Sequence, residues 1–219
     1  MLALVIGGAS WRAVRFDWLL LLIPIVTFAA LSMNADINIG IRHILPIYPF
    51  LFLLISAIVL SRPWKWRNGV IAVLSGLLVI ESLWIFPDYL AFFNFLVGGP
   101  GNGPKYLVDS NLDWGQDLKK LKKFMVANHL PSVCFAYFGA ADMHYFGVNV
   151  ANLPATADAK EWDAMDCVVA VSATPLEGVY VPLERFARLR AMKPAAKVGY
   201  SIYVYDLRKT PVPPLKLIW

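Results

Sequence analysis

The sequence predicts a chain in two parts: an α-helical membrane region of three spans plus a partial N-terminal one, then a small extracytoplasmic α/β domain built as a three-layer sandwich. Three observations carry that expectation. Residues 18–35 and 44–61 contain no Asp, Glu, Lys or Arg, and residues 69–86 contain one, Glu81. A Gly/Pro-rich run at 98–104 then breaks all regular structure. Beyond it, short apolar β-rich runs alternate with helix-period segments, the pattern of an α/β layer fold.

Each apolar stretch is about 18 residues, roughly 27 Å as a helix, close to a bilayer core of about 30 Å. Lipid offers no partner for a free N–H or C=O, so helix is the conformation such stretches adopt. Residues 1–9 are apolar but half a span long, with no basic region before them. They read as the tail of a membrane helix that begins upstream rather than as a signal peptide. Pro46 and Pro49 fall in the first turns of the second stretch, where a missing N–H costs least. The bulk numbers agree: 58% hydrophobic and 16% charged residues, with a mean hydropathy of +0.57, lie outside the range of soluble domains.

Charge placement sets an orientation. Arg12, Arg15, Arg62, Lys65 and Arg67 flank the spans on one side, whereas 33–42 carries only Arg42 beside Asp36. By the positive-inside rule the former are cytoplasmic, which puts 33–43 and everything after Pro87 outside. Tyr89, Phe92, Phe93 and Phe95 then form an interfacial anchor, with a short helix over 87–96. The net charge of +5 is spent on these flanks and on Lys119, Lys120, Lys122 and Lys123, with no nucleic-acid signature beside them. The domains are thus expected at 1–97 (membrane), 98–104 (linker) and 105–219 (α/β), in a multi-pass protein of a bacterial inner membrane.

Within the outer domain, 106–109 reads as a short strand. Asn111 or Asp113 is placed to cap a helix over 114–129, whose Leu118, Leu121, Phe124 and Met125 recur at helical spacing. Residues 133–138 and 168–172 read as strands buried on both faces, 183–192 as helix, and 200–207 as a final alternating strand. Cys134 and Cys167 sit in apolar strand contexts. These predict buried thiols, although an oxidising compartment permits a disulfide.

Three places hold residues able to do chemistry. Arg42 and His43 stand where the second stretch enters the outer leaflet. A cation there is either a snorkelling anchor or a bidentate contact to a lipid-linked phosphate. Glu81, inside the third stretch, requires a partner, and Arg42 stands at a matching height. The string Asp109-Ser-Asn111-Leu-Asp113-Trp114-Gly-Gln-Asp117 starts with the odd spacing of a calcium loop, but Trp114 replaces the turn glycine and Lys120 the bidentate Glu. It serves either as capping acids or as a ligand or sugar site with Trp114 as a stacking surface. There is no Walker motif, no nucleophile elbow and no His/Cys metal set.

Three strings together carry a resemblance: Asn38-Ile-Gly-Ile-Arg-His-Ile-Leu-Pro-Ile-Tyr-Pro, Pro87-Asp-Tyr-Leu-Ala-Phe-Phe-Asn, and Tyr106-Leu-Val-Asp-Ser-Asn-Leu-Asp-Trp-Gly-Gln-Asp-Leu. The chain resembles the C-terminal part of bacterial family 39 membrane glycosyltransferases, relatives of protein O-mannosyltransferases within the GT-C superfamily. The resemblance implies transfer of a sugar from a polyprenyl-phosphate donor to an extracytoplasmic acceptor, often with a divalent metal, and matches Arg42-His43 to an arginine-bearing motif near the donor phosphate. The catalytic carboxylate of such enzymes lies in an early outer loop with no counterpart here, so Asp36 is not assigned that role. No cofactor is evident in the chain itself. The expected partners are membrane lipid, the polyprenyl-linked donor and the amino-terminal part of such an enzyme, without which the chain is expected to be inactive. The competing expectation is a non-catalytic, membrane-anchored module that binds a glycan or a protein.

Overall fold

The structure, a computed structural model, describes residues 11–34, 40–61, 65–156, 158–209 and 213–216. The expectations placed on residues 1–9, Asp36, Asn38 and Arg62 lie outside them. The chain divides into two compact units, Met1–Trp84 and Ile85–Trp219.

The first unit is helical. Helix α1 (Trp11–Met33) contains Pro24 and packs along α3 (Tyr48–Ser61). Between them lie the single turn α2 (Ile41–Ile44) and a 3₁₀ turn, Leu45–Ile47. Helix α4 (Arg67–Trp84) follows. Among the described residues α4 alone is long and apolar enough to cross a membrane; the apolar parts of the others, Trp18–Met33 and Ile41–Ala57, are shorter. This corrects the expectation of three spans plus a partial one. The reason in the second stretch is local. Pro46 withholds an N–H, the backbone tightens to 3₁₀ over Leu45–Ile47, and the uninterrupted α-helix behind it is 14 residues. That is about 21 Å, well under a bilayer core of about 30 Å. Helix α4 has no buried residue.

The second unit is built on a mixed five-stranded sheet of β1 (Val133–Ala136), β2 (Val150–Ala151), β3 (Val168–Ser172), β4 (Ala196–Val198) and β5 (Ile202–Asp206), in the order β2-β1-β3-β5-β4. Strands β2, β1 and β3 are parallel; β5 runs antiparallel to β3 and to β4. The side-chain period of two sorts the sheet into two cores. Val133, Phe135, Val168, Ala170, Ile202 and Val204 face helix α5 (Leu118–Ala127) through Leu118, Leu121, Phe124 and Met125. Cys134, Val169, Val171 and Tyr205 face the other way, against Trp162 of α6 (Ala159–Ala164), Leu176 of α7 (Ala173–Leu176), Phe186 of the 3₁₀ turn Leu183–Phe186, and Leu189 of α8 (Ala187–Ala191). All five residues of β3 are buried, which explains its unbroken apolar sequence.

Several local expectations change. Residues 106–109 are not a strand, because Asp109 adopts φ 58 and opens a 3₁₀ turn, Asp109–Asn111. The 87–96 segment falls into two 3₁₀ turns, Tyr89–Ala91 and Phe95–Val97, with extended backbone at Phe92 and Asn94 instead of a continuous helix. The Gly/Pro run folds into a 3₁₀ helix, Pro100–Lys105, where Gly103 lies so close to the Phe93 ring that a Cβ would collide with it. Cys134 and Cys167 form a disulfide, Cα–Cα 6.3 Å, rather than remaining thiols. They stand at the adjacent parallel strands β1 and β3, whose pairing (Cys134 opposite Val169) brings the two cysteines within bridging reach.

Candidate functional site

The strand order fixes where a site belongs. From β1 the chain moves to β2 on one side and later to β3 on the other, so the connections leave β1 and β3 in opposite directions. In open α/β sheets a ligand crevice forms outside the carboxyl ends of strands at such a switch point. Here that edge is made by Tyr137–Gly139 after β1, Ser172–Thr174 at the end of β3, and Ser201 just before β5, where Ser172 pairs with Ile202. Loop 109–117 closes over it: Asp109 N donates to Thr174 Oγ1 at 3.0 Å, and Phe138 N donates to Ser172 Oγ at 3.1 Å.

Two buried carboxylates meet at this edge with different surroundings. Asp117 Oδ2 accepts from Ser201 Oγ at 2.8 Å and from the Tyr200 and Ser201 amides at 3.2 Å each. Its other oxygen lies 3.4 Å from Lys120 Nζ, which also donates to Asp88 Oδ1 at 2.5 Å. Burial alone would lower the Lys120 pKa; its hydrogen bond to Asp88 and the charge of Asp117 outweigh burial and raise it. Gly199, at φ 60, packs against the Asp117 carboxylate where any Cβ would overlap it. The result is a polar chain from Asp88, just beyond the apolar helix in sequence, through Lys120 and Asp117 to Ser201.

Asp113 is 0% exposed, and its Oδ1 accepts from Gly115 N at 2.9 Å. Its Oδ2 is buried with no hydrogen-bond partner. Burial, opposed by the Gly115 amide and the Ser172 and Ser201 hydroxyls and reinforced by Asp117, raises its pKa from 3.8 to about 6. The Tyr137 hydroxyl is likewise buried and unpartnered, wedged between Gly115 and Gly139, where side chains would strike it. Burial and the charge of Asp113 push this phenol upward as well.

Around these atoms aromatic faces reach the surface. Trp114 is 53% exposed, yet its amide donates to Gln116 Oε1 at 2.7 Å and its Nε1 to Ser110 O at 2.8 Å, so the ring is held in place. Tyr180, at φ 65 and 74% exposed, stacks on Phe138 with ring centroids 5.8 Å apart and planes at 6°.

The structure therefore brings Asp109, Asn111, Asp113, Trp114 and Asp117 to one edge of one sheet. Arg42, His43 and Glu81 belong to the other unit. Arg42 is exposed in α2, His43 half-buried with its amide bonded to Gly40 O, and Glu81 lies in the last turns of α4. Neither Asn111 nor Asp113 caps α5: Asp117 occupies its N-cap position, and the Asp117 side chain makes no capping hydrogen bond there. Tyr137, Ser172, Thr174, Ser201 and Tyr180 have no signal in the linear sequence; the glycines at 115, 139 and 199 are its one trace. Among the described residues no three His, Cys, Asp or Glu side chains converge to hold a metal ion.

Comparison with protein-family models, with characterised proteins and with solved structures found no match to this chain.

Proposed function

We propose that this chain is the carboxyl-terminal portion of a membrane glycosyltransferase that draws sugar from a polyprenyl-phosphate donor, anchored in a bacterial inner membrane through α4 with its α/β domain outside the cytoplasm. The observation that carries the reading is the joining of a wholly unburied, 18-residue apolar helix to a disulfide-closed α/β domain that begins at the next residue. Unburied apolar helices of this length belong in lipid, and disulfides persist in oxidising compartments. Tyr89, Leu90, Phe92, Phe95 and Leu96, exposed directly after the helix, suit an interfacial anchor.

The transfer chemistry rests on the three resembling strings and on Arg42. Arg42, an exposed residue with His43 next to it in sequence, carries the planar fork that matches a lipid-linked phosphate, and stabilising the departing phosphate is electrostatic work. The described residues bring together no three side chains of the kind that would hold the divalent ion such transferases often use.

Two measurements test this. A reporter fused after Trp219 is expected to be active in the periplasm and silent as a cytosolic fluorophore; the opposite result removes the reading. In membranes carrying this chain joined to its amino-terminal partner segment, Arg42→Ala is expected to lower sugar transfer about 100-fold or more, the usual cost of one preorganised donor to a developing anion. Unchanged turnover removes Arg42 from the donor site.

A further inference from the structure

We propose that the Asp113–Gln116 turn and Gly139 form a roof over a saccharide subsite, in which Asp113 Oδ2 and the Tyr137 hydroxyl take neighbouring sugar hydroxyls while Trp114 and Tyr180 cover the apolar ring face. The choice of a sugar among diol ligands rests on the transferase reading; the subsite itself rests on geometry.

Two unpartnered polar side chains flank one glycine: Asp113 accepts from the Gly115 amide, and the Tyr137 hydroxyl lies against the Gly115 Cα. Asp113 Oδ2 and the Tyr137 hydroxyl are both sealed from solvent without a partner, and each such atom costs about 1–3 kcal/mol. Native domains keep few of these. Their chemistry is complementary: an ionised carboxylate accepts, a phenol donates and accepts, and a vicinal diol presents the matching set. What covers them is mostly backbone. Gly115 at φ 76 and Gly139 at φ 149 lie against the Tyr137 hydroxyl and have no side chain to clear when the turn moves.

The aromatic surroundings fit the other side of a pyranose. Trp114 is tied at both its amide and its indole nitrogen and is 53% exposed, and Tyr180 holds a left-handed backbone that a bulky residue rarely adopts while stacking on Phe138, next in sequence to Tyr137. Outliers of this kind concentrate at ligand sites. The location is the switch point of the sheet, where a ligand is expected on topology alone.

The test uses the full chain in lipid nanodiscs, free of sugar detergents. Saturation-transfer NMR is recorded with methyl α-D-mannoside, methyl α-D-glucoside, methyl β-D-galactoside and glycerol. At least one hexoside is expected to show ring C–H saturation with millimolar affinity, and glycerol none. Tyr180→Ala, at an exposed position, and Tyr137→Phe are each expected to weaken binding about tenfold or more, the equivalent of about 1.4 kcal/mol. Absence of hexoside binding, binding of glycerol alone, or equal binding by wild type and both variants overturns the subsite. Hexoside binding alongside transfer that ignores Arg42→Ala keeps the subsite and discards the transferase; the reverse pairing discards the subsite only.

Discussion

Asp117 and Asp113 stand in one short loop before α5, both shut off from water, at 2% and 0% exposure. Around Asp117 the fold has converged: two amides, a hydroxyl and a lysine satisfy it, and a glycine at 199 makes room for it. Around Asp113 it has not. One oxygen accepts from Gly115 N; the other has no partner in hydrogen-bonding geometry, although the Ser172 and Ser201 hydroxyls stand near enough to oppose the rise in its pKa. Burial therefore does not separate a structural carboxylate from a functional one; the completeness of its partners does. Asp117 holds α5, the β5 approach and the Asp88 segment together. Asp113 costs the fold stability, the signature of a residue kept for what it does.

Substitutions sharpen the contrast, beginning where the effect is largest. Asp117→Ala leaves the Tyr200 and Ser201 amides without an acceptor and Lys120 with one carboxylate fewer. Loss of about 3–5 kcal/mol is expected in chemical denaturation of the full chain. Retention of near wild-type stability would erase the distinction. Joint replacement of Cys134 and Cys167 by alanine opens a loop of sequence separation 33 and is expected to cost about 3–4 kcal/mol, read from the same unfolding curve.

Asp113→Asn has the opposite sign. A buried acid whose folded pKa is raised from 3.8 to about 6 keeps its proton in the native state while the unfolded chain releases it. Its contribution to stability is whole below pH 3.8 and is lost as pH rises through about 6. Asparagine carries no such liability, so the variant is expected to gain on wild type with increasing pH and to be more stable by about 2–3 kcal/mol at pH 7.5. A stability difference that does not change between pH 4 and 7.5 would contradict this. Thr174→Val, which removes the acceptor of Asp109 N, ranks last at about 1 kcal/mol in thermal unfolding.

How much of this was legible in the sequence varies with how local the cause is. Val168–Ser172 and the Leu118, Leu121, Phe124, Met125 spacing were readable, because a strand buried on both faces and an amphipathic helix write their packing into adjacent residues. The 109–117 string was recognisable as unusual, yet its split into a satisfied and an unsatisfied acid was not. The partners that decide it come from Gly115, Tyr137, Ser172 and Ser201, brought together by sheet order alone. The membrane region failed for the contrary reason. Apolar composition runs unbroken over 44–61, but Pro46 imposes a 3₁₀ break there, so the helix is shorter than its apolar sequence. Asn111 and Asp113 were plausible caps because Asp117 is chemically the same kind of residue, and position decided between them.

The contrast between the two acids is most directly examined by carbon-detected NMR titration of the Asp113 carboxyl in the full chain, assigned through Asp113→Asn. An inflection near pH 6 is predicted, because burial outweighs the Gly115 amide and the Ser172 and Ser201 hydroxyls. An inflection in the ordinary carboxylate range near 4 would mean that Asp113 is as well partnered as its neighbour, and the functional reading of this edge of the sheet would fall.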